Sequence, residues 1–277
     1  MLGYHVSKMR RSLPDAVRVE IEAMRAAGIT TPCCQVFFSG PQSYKTTITL
    51  DEAAELRNYT VFVHGAYVDY MNGSKTSIDN IRRELVLCDA AEAAGLILHL
   101  GANMKPKASL AAAMDGTTTP IYLEINAQRP PNWADKHALY DLFSDLSTEE
   151  FYDRLGLCID TQHLYACGVA LRTAADFTNY IDELRGAFTD GGLELPPIMF
   201  HLNDSDGRRD LFATGVDRHE EVLTGSIWSN YNGANFAQSG CAALLNFCKE
   251  HNLPAILESK DAAATLTRLK QVRALPY

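Results

Sequence analysis

A chain of 277 residues and 30.6 kDa is long enough to bury a large core, and with 47% hydrophobic and 21% charged residues it has the composition of an ordinary globular protein, which excludes disorder. The formal net charge of −9 excludes a nucleic-acid binder that works by bulk positive potential, but not one whose site carries several divalent cations, since bound metals are the largest local charges in such a site. The N-terminal MLGYHVSKMRRS lacks the apolar run of a signal peptide, and no stretch reaches the roughly 18 apolar residues of a membrane helix, so an intracellular, soluble protein of cytoplasm or nucleoid, virus-encoded in one variant of this reading, without membrane contact is expected.

Eight β-rich runs follow one another along the chain, at 3–7, 34–39, 60–67, 96–101, 121–126, 155–160, 197–204 and 254–259. Helical patterns separate most of them. The first, 13–28, has Pro14 near its start and Gly28 at its end; the second, 77–95, opens on Ser77 as a cap and stops at Gly95; 173–186, 234–251 and 261–275 complete the later units. Runs such as VFV, LIL and IYL are continuously apolar, as buried parallel strands are. The expected fold is therefore α/β, a single (β/α)8 TIM barrel over residues 1–277, with an open doubly wound sheet as the runner-up. No Gly-x-Gly-x-x-Gly follows the first strand, so nothing favours a dinucleotide fold. The seven cysteines, odd in number and without paired spacing, read as reduced structural thiols.

Active sites of such barrels are built at the carboxyl ends of the strands. The ionisable residues there are His5, His64, His99, Glu124, Asp160 with His163, His201 with Asp217 and His219, and Glu258, which takes in six of the chain's eight histidines. Any one alone would read as a core or surface residue. Together they form a pattern of metal-ligand types on nearly every strand. Glu124, Asp160, His201 and Glu258 make an oxygen-rich set suited to zinc, manganese or magnesium, and Glu124 is placed to bridge toward His64 and His99. Asp217 and His219, two residues apart, project to one side of an extended segment and can close on one cation. His163 follows Asp160 by three residues, so the two are expected to point apart, leaving His163 free to join Asp217 and His219. Three metal sites emerge from nine residues, and the nitrogen-to-carboxylate ratio favours zinc, with manganese the alternative at one of them.

The motifs GYHVS (3–7), VHGAY (63–67), LHLG (98–101), LEINA (123–127), LCIDTQHLYACG (157–168), HLNDS (201–205), GVDRHE (215–220) and ILES (256–259) resemble, in order, those of the endonuclease IV family, trinuclear zinc enzymes that cleave DNA at apurinic/apyrimidinic (AP) sites on a xylose isomerase-like barrel. The resemblance runs from residue 3 to 259. It implies that His64, His99 and Glu124 hold the first zinc; Glu124, Asp160, His201 and Glu258 the second; and His163, Asp217 and His219 the third. It further implies base-excision repair chemistry on abasic double-stranded DNA by a monomer, with in-line attack of a hydroxide leaving a 3′-hydroxyl and a 5′-deoxyribose phosphate. Glu258, with Glu124, would orient that hydroxide or take its proton, and His5 would support the ligands from behind.

Departures lie outside the ligands: Leu100 stands where the family has proline, Ile125 where it has asparagine, and Gln162 where it has cysteine. The loop FFSGPQSYK (37–45) lacks the family's Lys-Asn-Gln and its arginine, which falls at Ser43. Tyr67, with Val68 beside it, holds the position of the family's aromatic wedge, and Gln42 or Tyr44 would supply the wedge on the second-strand side. Lys8, Lys45, Lys105, Arg208 and Lys260 are the candidate phosphate contacts by loop position. The competing reading is a sugar isomerase or epimerase, which would use Glu124, Asp160, His201 and Glu258 but has no use for the other five ligands.

Overall fold

The computed structural model describes residues 1–8, 11–67, 71–102, 104–127, 132–231 and 233–272; Val68 lies outside them. Its centre is a closed barrel of eight parallel strands. In chain order these are β1 (Leu2–His5), β2 (Pro32–Val36), β3 (Val61–His64), β4 (Gly95–His99), β5 (Ile121–Glu124), β6 (Leu155–Asp160), β7 (Ile198–His201) and, after a two-residue antiparallel pair formed by β8 (Asp204–Ser205) and β9 (His219–Glu220), β10 (Ala255–Leu257). Pairing of β1 with β10, Leu2 opposite Ala255, closes the ring. The open doubly wound sheet is thereby excluded.

Between the strands run α1 (Leu13–Ala26), α2 (Leu50–Ala54), α3 (Lys75–Ala91), α4 (Pro106–Met114), α5 (Lys136–Leu146), α6 (Thr161–Ala166), α7 (Ala174–Asp190) and α8 (Gly240–Glu250), with α9 (Ala262–Gln271) after the last strand. Local signals fix their ends. Ser12 caps α1 by accepting the Asp15 N–H, Pro14 sits in its first turn, and the side chains of Thr49 and Thr173 open α2 and α7 as capping boxes. Several sequence expectations are corrected. The cap of α3 is Ser74, which accepts the Ser77 N–H, and Ser77 is buried within the helix. That helix ends on left-handed Glu92, and Gly95 instead opens β4. Gly186 does not stop α7, because the apolar face continues to the buried Phe188. The span 234–251 breaks into a 3-10 turn, Gly233–Gln238, and α8, which Ser239 caps. The seventh strand ends at His201, and Asp204 belongs to the separate β8–β9 pair.

Side chains alternate in and out along each strand. The outward set packs beneath the helices with Leu96, Leu98, Leu123 and Phe200. Inward, Cys33, Phe62, Ile97, Cys158, Met199 and Ile256 form a second, central cluster against which Tyr122 packs. The Tyr122 ring fits because β4 and β6 offer glycine on either side: a Cβ at Gly95 or Gly156 would meet the ring at 2.6 and 2.5 Å. All seven cysteines are buried and none forms a disulfide. No described helix is long and apolar enough to cross a membrane.

Candidate metal centre

Two residues beyond each member of the central apolar layer, the same inward face carries a polar one. Phe62 is followed by His64, Ile97 by His99, Tyr122 by Glu124, Cys158 by Asp160, Met199 by His201 and Ile256 by Glu258. Period-two alternation thus stacks a polar tier on an apolar plug at the carboxyl mouth of the barrel. Register sets the neighbours: His99 is level with Glu124, Asp160 with His201, and His5 with Gln35.

Glu124 is the hub. Its Oε2 lies 3.1 Å from His64 Nε2 and 3.0 Å from His99 Nε2, while its Oε1 lies 3.0 Å from His201 Nδ1. Around Glu124, Asp160, His201 and Glu258 the candidate ligand atoms all lie within 4.8 Å of one another, and the same holds for His64, Glu124 and His201 and for Asp160, His163 and His219. His99 Nε2 is 3.3 Å from His64 Nε2, beside the first of these groups. Asp217 reaches His163 Nε2 at 3.5 Å and His219 Nε2 at 3.3 Å, beside the last.

The expectation that Asp160 and His163 diverge is corrected. Asp160 is the N-cap of α6 and its Oδ1 accepts the His163 N–H at 2.9 Å, so the helix starts by turning His163 back over the strand end. His219 Nε2 then stands 3.4 Å from His163 Nε2 and 3.5 Å from Asp160 Oδ2. The β8–β9 ribbon, with Ser205 opposite His219, holds that imidazole in place.

Second partners decide which nitrogen of each ring faces the carboxylates. His64 Nδ1 donates to the Gly65 carbonyl and His163 Nδ1 to the Ile125 carbonyl, each at 2.7 Å, which leaves Nε2 bare on both. Bare nitrogens and carboxylate oxygens then confront one another across about 3 Å, an arrangement that asks for a cation. The pKa directions follow from the same juxtaposition of imidazoles and carboxylates. Burial alone would lower the imidazoles of His64, His163 and His201, but the carboxylates (and, at His201, the Cys158 thiol) raise all three. Burial alone would raise the carboxyls, but His99 and His201 hold Glu124 well below its usual range, and His201 and His219 bring Glu258 to about 2. The donor set of imidazoles and carboxylates fits a divalent cation such as zinc.

Two residues at this site carry no titratable group and escaped the sequence reading. Asn203 Nδ2 donates to Asp160 Oδ2 at 2.6 Å and Glu258 Oε2 at 2.9 Å. Gln35 reaches Glu258 and His201 from the other side. Gln162, buried behind His163, donates to the Val216 carbonyl at 3.0 Å and so ties down the segment leading to Asp217. His5 is half-buried, 5.0 Å from the Phe37 ring, and burial lowers its pKa to about 4.

Tyr67 stands at the rim, 41% exposed, with its ring edge-on to His64 at 5.4 Å and His99 at 5.3 Å. Its N–H donates to the Pro41 carbonyl at 2.8 Å, so the segment carrying the exposed Gln42, Tyr44 and Lys45 abuts it. Across the mouth, a cavity of ≈ 400 Å³ is lined by Arg208, Arg218 and Lys260 together with His219 and Glu258. Arg208 is held by Asp206 at 3.1 Å, exposed Lys8 donates to the Thr47 carbonyl at 2.9 Å, and Lys105 is exposed near Gly73.

No family model matches the chain. A probable AP endonuclease of African swine fever virus, from a Kenyan pig isolate, is 30% identical over 239 residues, covering 81% of this chain and 77% of the relative. A probable endonuclease 4 of Persephonella marina is 26% identical across 99% of this chain and 96% of the relative. Among solved structures, the crystal structure of AsfvAP:AG superposes with a TM-score of 0.83 at 26% identity, covering 100% of this chain and 99% of that one. Sharing both sequence and barrel with these proteins over nearly its whole length, the chain belongs to the endonuclease IV family of AP endonucleases.

Proposed function

We propose that the protein is a zinc-dependent AP endonuclease of base-excision repair that hydrolyses the phosphodiester 5′ to an abasic site in duplex DNA, leaving a 3′-hydroxyl and a 5′-deoxyribose phosphate. One observation carries this reading. The two oxygens of Glu124 face different imidazoles, His64 and His99 on one side and His201 on the other, so a single carboxylate joins two ligand groups. A sugar isomerase, which needs one metal or two, has no use for the further group of Asp160, His163 and His219 beside it. His64, His99 and Glu124 would hold one zinc, Glu124, Asp160, His201 and Glu258 a second, and His163, Asp217 and His219 a third.

Bound zinc supplies Lewis acidity, lowering the pKa of a coordinated water to about 7 and offsetting charge that develops on a phosphoryl group. The chain's own residues do the rest. Glu258, with both oxygens hydrogen-bonded, would be held as an acceptor that orients the attacking water. Asp217 and His219, partly open to solvent, face the side from which a phosphate would enter beside Arg208, Arg218 and Lys260. Tyr67, exposed at the rim, would stack into the gap left by the missing base, where extrusion costs little because no base pair is broken.

Elemental analysis of protein purified without chelator should find about three zinc ions per chain, and that protein should nick a duplex carrying a single abasic site to a 3′-hydroxyl product. A stoichiometry of one or less, or intact duplex after incubation with the metal-replete protein, would overturn the reading.

A further inference from the structure

Every barrel strand but one ends its inward row in a titratable side chain; the exception is β2, whose row ends in Gln35. Gln35 has no exposed surface, and both ends of its amide are engaged. Its Nε2 donates to Glu258 Oε1 at 2.7 Å and its Oε1 accepts from His201 Nε2 at 2.7 Å. Charge dictates that orientation, because the reversed amide would press its oxygen against a carboxylate oxygen.

An amide oxygen can only accept, so His201 carries its proton on Nε2 and presents Nδ1 to Glu124 Oε1 at 3.0 Å, Glu258 Oε2 at 3.3 Å and Asp160 Oδ2 at 3.9 Å. His64 and His163 obtain the same service from backbone carbonyls; for His201 alone among the three it comes from a side chain. Asn203 does not duplicate it, since that amide holds Asp160 and Glu258 but not the imidazole. We infer that Gln35 is the positioning residue of the group formed by Glu124, Asp160, His201 and Glu258: it selects the His201 tautomer that exposes Nδ1 and fixes Glu258 so that Oε2 faces the same point. The inference rests on the metal-dependent reading above.

Gln35→Met keeps the length of the side chain and removes both hydrogen bonds. Under competition with a graded zinc chelator, wild type should retain about three metals, while Gln35→Met should release one of them at roughly 10- to 100-fold higher free zinc than wild type and keep the other two. Thermal unfolding of the chelated forms checks that the variant folds. If it does not, the long-range 15N–1H imidazole spectrum of zinc-loaded wild type decides alone: His201 protonated at Nε2 supports the inference, and His201 protonated at Nδ1 overturns it. Three metals held equally well by Gln35→Met and wild type would overturn this inference and leave the proposed function standing. A wild type that binds no metal would overturn both.

Discussion

His163 and His219 face each other across 3.4 Å with Asp217 reaching both, so neither ring can be removed without leaving that group short of a ligand. His163→Ala or His219→Ala should therefore lower nicking turnover by several powers of ten, at about 1.4 kcal/mol of transition-state stabilisation per tenfold, while circular dichroism remains that of the intact barrel. A rate near wild type in either variant would remove this group from the chemistry. Tyr67, exposed on one edge and resting on His64 and His99, is the wedge of the proposed function. Tyr67→Ala should weaken binding of abasic duplex by about 1 to 3 kcal/mol, the worth of one stacked base, with zinc content unchanged; equal affinities of the two proteins would refute the wedge. The ionisable residues of this site were legible in the sequence because histidine and carboxylate are conspicuous at the ends of apolar strands. Gln35 and Asn203 were not: a lone amide reads as an ordinary exposed residue, at Gln35 until the inward phase of β2 is known from Cys33, and at Asn203 because it lies just beyond the end of β7.

At the scale of elements, the strands were recoverable from continuous apolar runs and five of the described helices from apolar residues at helical spacing, but the short α2 and α6 were not, nor were α4 and α5. PKASLAAAM in α4 is nearly all small or apolar and has no polar face to set a period, and α5 begins from Asp135 just past a proline-rich stretch that reads as loop. The short β8–β9 ribbon was equally invisible, being only two residues on each side. It depends on Asp204, whose buried carboxylate accepts the N–H groups of Ser205, Leu223, Ile227 and Trp228 at 2.8 to 3.3 Å. Burial nevertheless raises its pKa from 3.8 to about 6, outweighing those backbone donors. The folded chain thus keeps a proton that the unfolded chain has already released, so this group's contribution to stability falls as pH rises from about 4 to about 6. Asp204→Asn should flatten that part of the curve. Urea midpoints of chelated protein at several pH values across the window test it, and parallel curves for variant and wild type would count against the assignment.

For the molecule as a whole, a net charge of −9 means that duplex DNA must be drawn by local rather than bulk potential. Each phosphate neutralised adds about −0.9 to the slope of log affinity against log salt, so if the five candidates Lys8, Lys45, Lys105, Arg208 and Lys260 all engage, the slope should be no steeper than about −4.5. Anisotropy titrations at graded salt would measure it, and a steeper slope would mean that Arg218, in the cavity with Arg208 and Lys260, or basic residues elsewhere on the surface take part. The barrel's closure carries a further consequence. The polar tier draws one side chain from every strand, and the ring is sealed only when Leu2 pairs with Ala255, near the two ends of the chain. A growing polypeptide therefore has most of the ligands in hand long before it has a geometry to hold them in, and pairing so distant in sequence is slow to form. If the proposed metals bind, the group that needs Glu258 can form only once β10 has paired with β7, which makes it the last of the three to be completed.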